Sequence, residues 1–306
     1  MTSPAERYAA ARRRADLAAR LPRLMEFAAQ LSFELDPFQH EACEALEQGT
    51  GVLVCAPTGA GKTVVGEFAV HLALAQGRKC FYTTPIKALS NQKYNDLVRA
   101  HGSTKVGLLT GDNSINGDAP VVVMTTEVLR NMLYAGSATL SGLGYVVLDE
   151  VHYLADRFRG AVWEEVIIHL ADSVQVVALS ATVSNAEEFG NWLTEVQGGT
   201  TVIVDEHRPV PLGQHVLAEG RLYDLFVADA QVNSELTRLV RREEWAYRKA
   251  PTRPGRGGRR TVRQRPPSRP QIIERLDTAG LLPAITFIFS RAGCDGAVRQ
   301  CLNAKI

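Results

Sequence analysis

A short apolar strand, a glycine-rich turn and a helical segment follow one another in residues 52–68, which read VLVCAPTGAGKTVVGEF. Gly59 and Gly61 allow the backbone of the turn to curl, so that successive N–H groups face one anion. The helix that starts there adds the positive end of its dipole at the same point. This order of elements predicts a parallel α/β sheet with a phosphate-binding site at a carboxyl strand end.

The turn itself, APTGAGKT in residues 56–63, follows the P-loop pattern except at its first position, where Ala56 replaces glycine. The pattern predicts that Lys62 reaches the β and γ phosphates of ATP and that the Thr63 hydroxyl binds Mg²⁺. The alternative is a chance glycine-rich turn, which the flanking strand and helix disfavour. The residues expected to contact the nucleotide are Pro57, Thr58, Gly59, Ala60, Gly61, Lys62 and Thr63.

Two acidic residues follow a second apolar run, in the sequence YVVLDEVH of residues 145–152. We expect Asp149 to hold Mg²⁺ through water and Glu150 to orient or deprotonate the water that attacks ATP. Together with Lys62 they form the predicted catalytic set. A lone acidic pair after a strand more often marks an exposed loop, but the P-loop upstream favours the catalytic interpretation. His152 alone is more typical of a capping or packing histidine.

Between residues 51 and 204, apolar runs rich in β-branched residues alternate with amphipathic segments. Such alternation predicts a parallel sheet that is covered by helices on both faces. The predicted strands are 52–56, 79–84, 105–109, 121–125, 145–149, 174–180 and 201–204. The predicted helices are 61–76, 86–100, 126–134, 162–171 and 185–195.

Residues 248–270 carry nine Arg or Lys, five prolines and no acidic residue. This composition cannot bury a core and predicts a disordered basic linker. The linker could bind nucleic-acid phosphates or act as a solvated spacer, and both interpretations stay open. No apolar run reaches the length of a membrane span. The five cysteines include no CxxC pair, so we expect reduced, buried thiols in a cytoplasmic protein without structural zinc.

Longer motifs resemble those of superfamily 2 DExH-box helicases, and among these the superkiller (Ski-like) RNA helicases and their bacterial HelY type. The resemblance covers about residues 31–215 and resumes at 279–306. The motifs that carry it are FELDPFQ (33–39), APTGAGKT (56–63), TTPIKALSNQK (83–93), GLLTGD (107–112), VMTTEVLRNMLY (123–134), VVLDEVHYLADRFRGAVWEEVI (146–167), LSATVSNAEEFGNWL (179–193) and HRPVPL (207–212).

The resemblance implies roles for further residues. Gln39 would contact the adenine edge, and Phe33 would stack nearby. Ser180 and Thr182 of the SAT motif, with His152, would couple the nucleotide state to the grip on a single strand. Thr125 and Ser180 could instead be ordinary helix N-caps. The path of single-stranded RNA, with DNA also possible, would be lined by Pro85, Lys87, Ser90, Gly111, Asp112, Thr125, Thr126 and Arg130.

Family members have two RecA-like lobes with ATP between them, and the second lobe supplies arginines from a segment like QxxGRAGR, which this sequence lacks. The expected domains are a helical extension (1–30), a RecA-like lobe (31–212), a connecting region (213–278), and the first strand and helix of a second lobe (279–306). We therefore expect this chain to bind ATP and Mg²⁺ but to hydrolyse ATP slowly. The predicted function is an ATP-dependent RNA helicase; a DNA helicase or a non-catalytic nucleotide-binding fragment remain alternatives.

Overall fold

The computed structural model describes residues 19–157, 159–181, 185–227, 231–249 and 267–304, with side chains up to residue 242 in the fourth range. The chain divides into two compact units, Met1–Pro211 and Leu212–Ile306.

The first unit alternates strands and helices along the chain. Its helices are α1 (Pro22–Ala28), α2 (Pro37–Glu47), α3 (Thr63–Gln76), α4 (Lys87–His101), α5 (Thr126–Tyr134), α6 (Gly160–His169) and α7 (Ala186–Gln197), with 3₁₀ turns at Ala138–Leu140 and Val151–Ala155. Its strands are β1 (Gly51–Cys55), β2 (Lys79–Thr84), β3 (Val106–Leu109), β4 (Ser114–Ile115), β5 (Val121–Thr125), β6 (Leu143–Leu148), β7 (Gln175–Ser180) and β8 (Thr200–Val204).

These strands form one sheet in the order β4-β3-β5-β2-β6-β7-β1-β8. All neighbouring pairs are parallel except β3 with the short edge strand β4. Because the strands run the same way, their carboxyl ends meet at one edge of the sheet. The P-loop and Asp149 follow strands at that edge, and Thr125 is the last residue of β5 there.

Alternate residues of the strands enter two separate cores, since side chains of a strand point to opposite faces. Val52 and Val54 of β1 pack with α1 to α4 in one core. Leu53 and Cys55 of the same strand pack with α5, α6 and α7 in the other. The sheet is therefore buried on both faces, as the near-continuous apolar strands predicted.

Each of the seven predicted strands and five predicted helices lies within two residues of the observed bounds. The prediction of a parallel sheet flanked by helices is confirmed. Strand β4 and helices α1 and α2 were not among the predicted elements. A two-residue strand carries almost no periodicity, and α1 has only two turns.

The second unit begins with two antiparallel pairs. Strands β9 (His215–Ala218) and β10 (Arg221–Asp224) form one pair, and β11 (Phe226–Val227) and β12 (Gln231–Val232) form the other. The helices that follow are α8 (Ser234–Lys249), α9 (Arg269–Thr278) and α10 (Arg291–Asn303).

Helices reach into both ends of the predicted linker, because α8 ends at Lys249 and α9 begins at Arg269. At the second boundary Ser268 and Gln271 form a capping box, with Pro270 in the first helical turn, and these residues start the helix. The expectation of disorder at 248–249 and 269–270 was wrong. Residues 250–266 lie outside the described residues, as do 1–18, which make up more than half of the helical extension expected at 1–30.

The strand expected at the start of the second lobe is absent from the described residues 281–290, although the helix after it, α10, is present. A strand needs a neighbour for its backbone hydrogen bonds, and no described strand pairs with this segment. The side chains of Ile285, Phe287 and Phe289 are exposed. The prediction of a first strand in this segment was therefore wrong.

The expectation of buried thiols holds for Cys43, Cys55 and Cys80 but not for Cys294, which is exposed, or Cys301, which is partly exposed. Both lie on α10, where the described side chains include no buried residue. Among the described residues, the structure contains no helix that could span a membrane.

Candidate nucleotide and nucleic-acid site

The P-loop connects β1 to α3 and is held by its own backbone. Gly59 and Gly61 adopt positive φ angles of 88° and 85°, which favour glycine. The Ala60 N–H donates to the Pro57 carbonyl at 3.1 Å, and the Val64 N–H donates to the Gly61 carbonyl at 3.1 Å. The loop is therefore preformed at the N-terminus of a 14-residue helix, where a phosphate would meet backbone N–H groups.

Lys62 lies inside this loop. Its ammonium group donates to the carbonyls of Ala56 at 2.7 Å and Pro57 at 3.0 Å. Partial burial lowers the pKa of Lys62, and the negative charges of Glu150 and Asp149 act in the opposite direction. The structure thus places a partly desolvated cation near the two acidic residues, where a polyphosphate would compensate it.

Gln39 is buried and supports the loop from helix α2. Its Nε2 group donates to the Gly61 carbonyl at 3.1 Å and, at 3.4 Å, to that of Ala60. Its Oε1 atom accepts from the Asp36 N–H at 2.9 Å, which closes a capping box at the start of α2. Both ends of the amide are thus engaged within the protein: Nε2 contacts the P-loop, and Oε1 contacts the start of α2. Phe33, the expected stacking partner, is 51% exposed.

Asp149 follows strand β6 directly, and both of its carboxylate oxygens are held. The Tyr82 hydroxyl donates to Oδ2 at 3.1 Å, and the Glu150 N–H donates to Oδ1 at 2.9 Å. Burial raises the pKa of Asp149, whereas the Tyr82 hydroxyl, the Lys93 charge, the Glu150 N–H and Lys62 act to lower it. A bound cation would further favour the charged form.

Glu150 adopts a left-handed backbone conformation, with φ 54° and ψ 42°, which is uncommon for a residue with a Cβ atom. Its Oε2 atom lies 3.3 Å from Nδ1 of His152. The same Nδ1 atom lies 3.4 Å from the backbone N–H of Ala181, in the SAT segment. One ring nitrogen therefore lies between the Glu150 carboxylate and that segment. Which contact forms a hydrogen bond depends on where the histidine carries its proton.

The donor atoms fit Mg²⁺ with a nucleotide phosphate. Mg²⁺ prefers oxygen ligands and is commonly held by one or two protein groups together with phosphates and water. The Thr63 hydroxyl at the start of α3 and the Asp149 carboxylate are such groups. The described residues contain no cluster of three or more His, Cys, Asp or Glu that could hold a metal alone. The site thus suits a metal that arrives with its nucleotide.

The residues predicted to line a nucleic-acid strand lie after the carboxyl ends of β2, β3 and β5. The exposed side chains of Lys87 and Asp112 form an ion pair across the first two of these loops. A Cβ atom on Gly111 would lie 3.5 Å from the Lys87 ammonium, so this cation covers the loop backbone. The ion pair, Gly111 and the start of α4 therefore form one exposed surface.

Two of the residues predicted to contact nucleic acid, Ser90 and Thr126, instead have buried hydroxyls. The Ser90 Oγ atom lies 2.7 Å from Thr84 Oγ1, and the Thr126 hydroxyl donates to the Thr84 carbonyl at 3.4 Å. Both side chains are fully buried. Their hydroxyls thus fix the end of β2 against α4 and α5 and do not face solvent. Thr125 occupies the N-cap position of α5, but its side chain makes no capping hydrogen bond.

Arg159 is a residue that the sequence analysis missed. Its guanidinium group donates to the Pro85 carbonyl at 2.5 Å and pairs with Glu127 at the start of α5. It thus connects two of the segments that carry residues predicted to contact nucleic acid. Arg130, which was predicted, faces Glu165 with 3.6 Å between their charged atoms. Nothing in the spacing of Arg159 indicates this role, because Pro85 and Glu127 meet it only in the folded chain.

The SAT segment begins at the end of β7, beside the P-loop strand. Ser180 is buried and pairs in register with Cys55, and its carbonyl accepts from the Ala56 N–H at 3.2 Å. It lies in the strand, so it is not a helix N-cap. Thr182, its predicted partner in coupling, lies outside the described residues.

Comparison with known proteins gives a match to the family model described as DEAD/DEAH box helicase, over residues 36–189. The chain is 65% identical over 294 residues to "Probable helicase HelY" of Mycobacterium tuberculosis, which covers 94% of the chain and 32% of that protein. It is 41% identical to "DExH-box ATP-dependent RNA helicase DExH15 chloroplastic" of Arabidopsis thaliana, in a match that covers 90% of the chain and 26% of that protein. It is 50% identical to "Antiviral helicase SKI2" of Saccharomyces cerevisiae, in a match that covers 62% of the chain and 15% of that protein.

The chain thus spans a third or less of the length of these relatives. The matched region of the family model extends from the N-terminus of α2 to α7, and contains the P-loop, the acidic pair and the SAT segment. The similarity to the superkiller and HelY types that the motifs indicated is confirmed.

Proposed function

Because this chain belongs to the DEAD/DEAH box helicase family, we propose that it forms the nucleotide-binding lobe of an ATP-dependent RNA helicase. The observation that carries the proposal is the meeting of three elements at one sheet edge: a preformed P-loop, a partly buried lysine, and an acidic pair. P-loop backbone, lysine and metal-binding carboxylate are the parts that phosphoryl transfer requires.

In this proposal each group has a separate task. Backbone N–H groups of the loop and the Lys62 ammonium bind the phosphates of ATP, and Thr63 and Asp149 hold Mg²⁺. When bound, Mg²⁺ supplies positive charge against the β and γ phosphates. Glu150 orients the attacking water and accepts its proton, as its position after β6 and its left-handed backbone support.

The single strand would lie over the exposed surface made by Lys87, Gly111, Asp112 and the N-termini of α4 and α5. Lysine charge and helix N-termini contact phosphates and carry little sequence information. Thr125 could add its hydroxyl, which makes no capping hydrogen bond, whereas Ser90 and Thr126 would hold the loops in place. His152, Ser180 and Thr182 would couple the two sites.

The choice of RNA is supported by the resemblance to superkiller-type RNA helicases and by a relative whose name states RNA. Contacts to phosphates alone would accept DNA as well, so a DNA helicase is the second candidate. A third candidate function, from the sequence, is a lobe that binds nucleotide and nucleic acid without hydrolysing ATP. The cytoplasm remains the proposed compartment, and the free thiols of the five cysteines are consistent with a reducing environment.

The test compares the wild-type chain with Lys62→Ala in nucleotide binding and in ATP hydrolysis, with poly(U) RNA or poly(dT) DNA added. We expect the variant to lose nucleotide binding and the wild-type chain to be stimulated more by RNA. Greater stimulation by DNA would favour the second candidate. Nucleotide binding without turnover would favour the binding lobe, and equal nucleotide affinity of both proteins would refute the P-loop assignment.

A further inference from the structure

The Tyr82 hydroxyl group is buried against the carboxylate of Asp149, although the two residues are 67 positions apart. Tyr82 lies in β2 and is fully buried, and its hydroxyl donates to Asp149 Oδ2 at 3.1 Å. The other carboxylate oxygen accepts from the Glu150 N–H. Each oxygen thus has one fixed donor, and together these donors set the rotation of the carboxylate.

The tyrosine ring is held in place by its neighbours. A Cβ atom on Gly66, in the helix that follows the P-loop, would lie 2.9 Å from Tyr82 Cε2 and 3.2 Å from its hydroxyl oxygen. The backbone of α3 therefore packs directly on the ring. A ring confined in this way directs its hydroxyl at one point.

A buried lysine completes the array from the next helix. Lys93 of α4 is only 9% exposed, and its ammonium nitrogen lies 5.3 Å from the centroid of the Tyr82 ring. The same nitrogen lies 3.5 Å from Glu67 Oε1 on α3. An ammonium group is rarely buried unless it is paired. Its observed partners are the aromatic ring and this carboxylate, so its charge stabilises the arrangement of β2, α3 and α4.

We propose that Tyr82 and Lys93 are positioning residues for Asp149: the hydroxyl fixes the carboxylate, and the ammonium with Glu67 fixes the ring. This inference rests on the proposed function, because Asp149 is there assigned to Mg²⁺. Partners that orient a metal-binding carboxylate commonly change metal affinity about 10- to 100-fold when they are removed. The support of Asp149 would then include α4, the helix that begins at the exposed Lys87.

Tyr145→Phe is a matched control for Tyr82→Phe. Tyr145 is also buried in the sheet, in the same core, and its hydroxyl lies 3.1 Å from Gln76 Oε1. Both changes remove one phenolic oxygen and keep the ring, but only Tyr82→Phe removes a donor to Asp149. A purely structural effect would therefore appear in both variants.

The experiment titrates MgCl₂ into each chain with a fluorescent N-methylanthraniloyl-ADP and records anisotropy, with parallel binding in EDTA. For Tyr82→Phe we expect the half-maximal Mg²⁺ concentration to rise at least about 10-fold, with metal-free affinity unchanged. Lys93→Met should shift it in the same direction, and Tyr145→Phe should match wild type.

A Tyr82→Phe titration that coincides with that of wild type, or an equal shift in Tyr145→Phe, would overturn the inference and leave the proposed function intact. A wild-type chain that does not bind the nucleotide with or without Mg²⁺ would instead refute the proposed function, and this inference with it. If Lys93→Met does not fold, as its unfolding transition would reveal, the Tyr82→Phe result decides.

Discussion

Gly61→Ala should destabilise the protein more than Gly59→Ala, although both glycines have the same kind of backbone. Each adopts a positive φ, so alanine at either position costs about 1–2 kcal/mol of backbone energy. A Cβ atom at Gly61 would also lie 2.6 Å from Gln39 Nε2, whereas one at Gly59 meets nothing within 4 Å. Only the first substitution therefore disturbs a neighbour.

The displaced Gln39 amide is what sets the size of the difference. It is 3% exposed, and its Nε2 group donates to the loop carbonyls while Oε1 accepts from Asp36. Moving it leaves buried polar groups without partners, which costs about 1–3 kcal/mol. We expect Gly61→Ala to reduce the free energy of unfolding by about 2–5 kcal/mol, and Gly59→Ala by the backbone part alone.

Urea unfolding of the nucleotide-free chain, followed by tryptophan fluorescence, measures both values without reference to function. In a Gln39→Ala background the side chain that causes the extra loss is gone, so the two alanine variants should become equally stable. Equal stabilities already in the wild-type background, or an excess loss that persists without Gln39, would refute the argument that Gln39 holds the loop.

Glu150→Gln should retain nucleotide binding and reduce the turnover that exceeds the Lys62→Ala background by about 10²- to 10⁴-fold, since an amide cannot accept the proton from water. If turnover above that background is unchanged in the proposed hydrolysis assay, Glu150 does not have that role. Burial beside Phe27 and Phe68 lowers the pKa of His71. Its contribution to stability is therefore present above about pH 6.5 and lost as the pH falls through the lower folded-state pKa. His71→Phe should remove this component, at most about 1.4 kcal/mol per pH unit, from the pH dependence of the free energy of unfolding, and identical pH profiles would contradict the assignment. Phe289→Ser should change the free energy of unfolding by less than about 0.5 kcal/mol, because the side chain is fully exposed. Phe68 is buried, so Phe68→Ala should reduce the free energy of unfolding by about 3–5 kcal/mol in the same urea titration.

The sequence predicted those features that depend on neighbouring residues along the chain. The P-loop follows from β1, two glycines and α3, which are contiguous, and Asp149 follows from the end of a buried apolar run. Strand and helix bounds were accurate because a sheet buried on both faces imposes long apolar strands. The order of the strands in the sheet was not predictable from these patterns.

The features that the sequence could not predict depend on that order. Tyr82 reaches Asp149 because β2 pairs with β6, and Ser90 is buried because α4 packs on the end of β2. The same hydroxyl at the start of a helix could equally face a phosphate or a carbonyl. The strand expected near Phe287 failed for a related reason, since strand propensity needs a pairing partner to become structure.

Glu150 is a site residue in a left-handed backbone conformation that is unfavourable for glutamate, and the cost in stability can be measured. At φ 54° and ψ 42° a Cβ atom costs about 1–2 kcal/mol, while glycine costs more entropy on folding by about 0.5–1 kcal/mol. Glu150→Gly should therefore be at least as stable as Glu150→Ala, the reverse of the order at an ordinary helical position. Thermal unfolding of the two variants in the absence of nucleotide gives the comparison. A clear advantage for alanine would mean that the left-handed conformation is not kept in solution. If glycine is the more stable, the protein maintains a strained glutamate where its fold favours glycine, as is typical of residues held for chemistry.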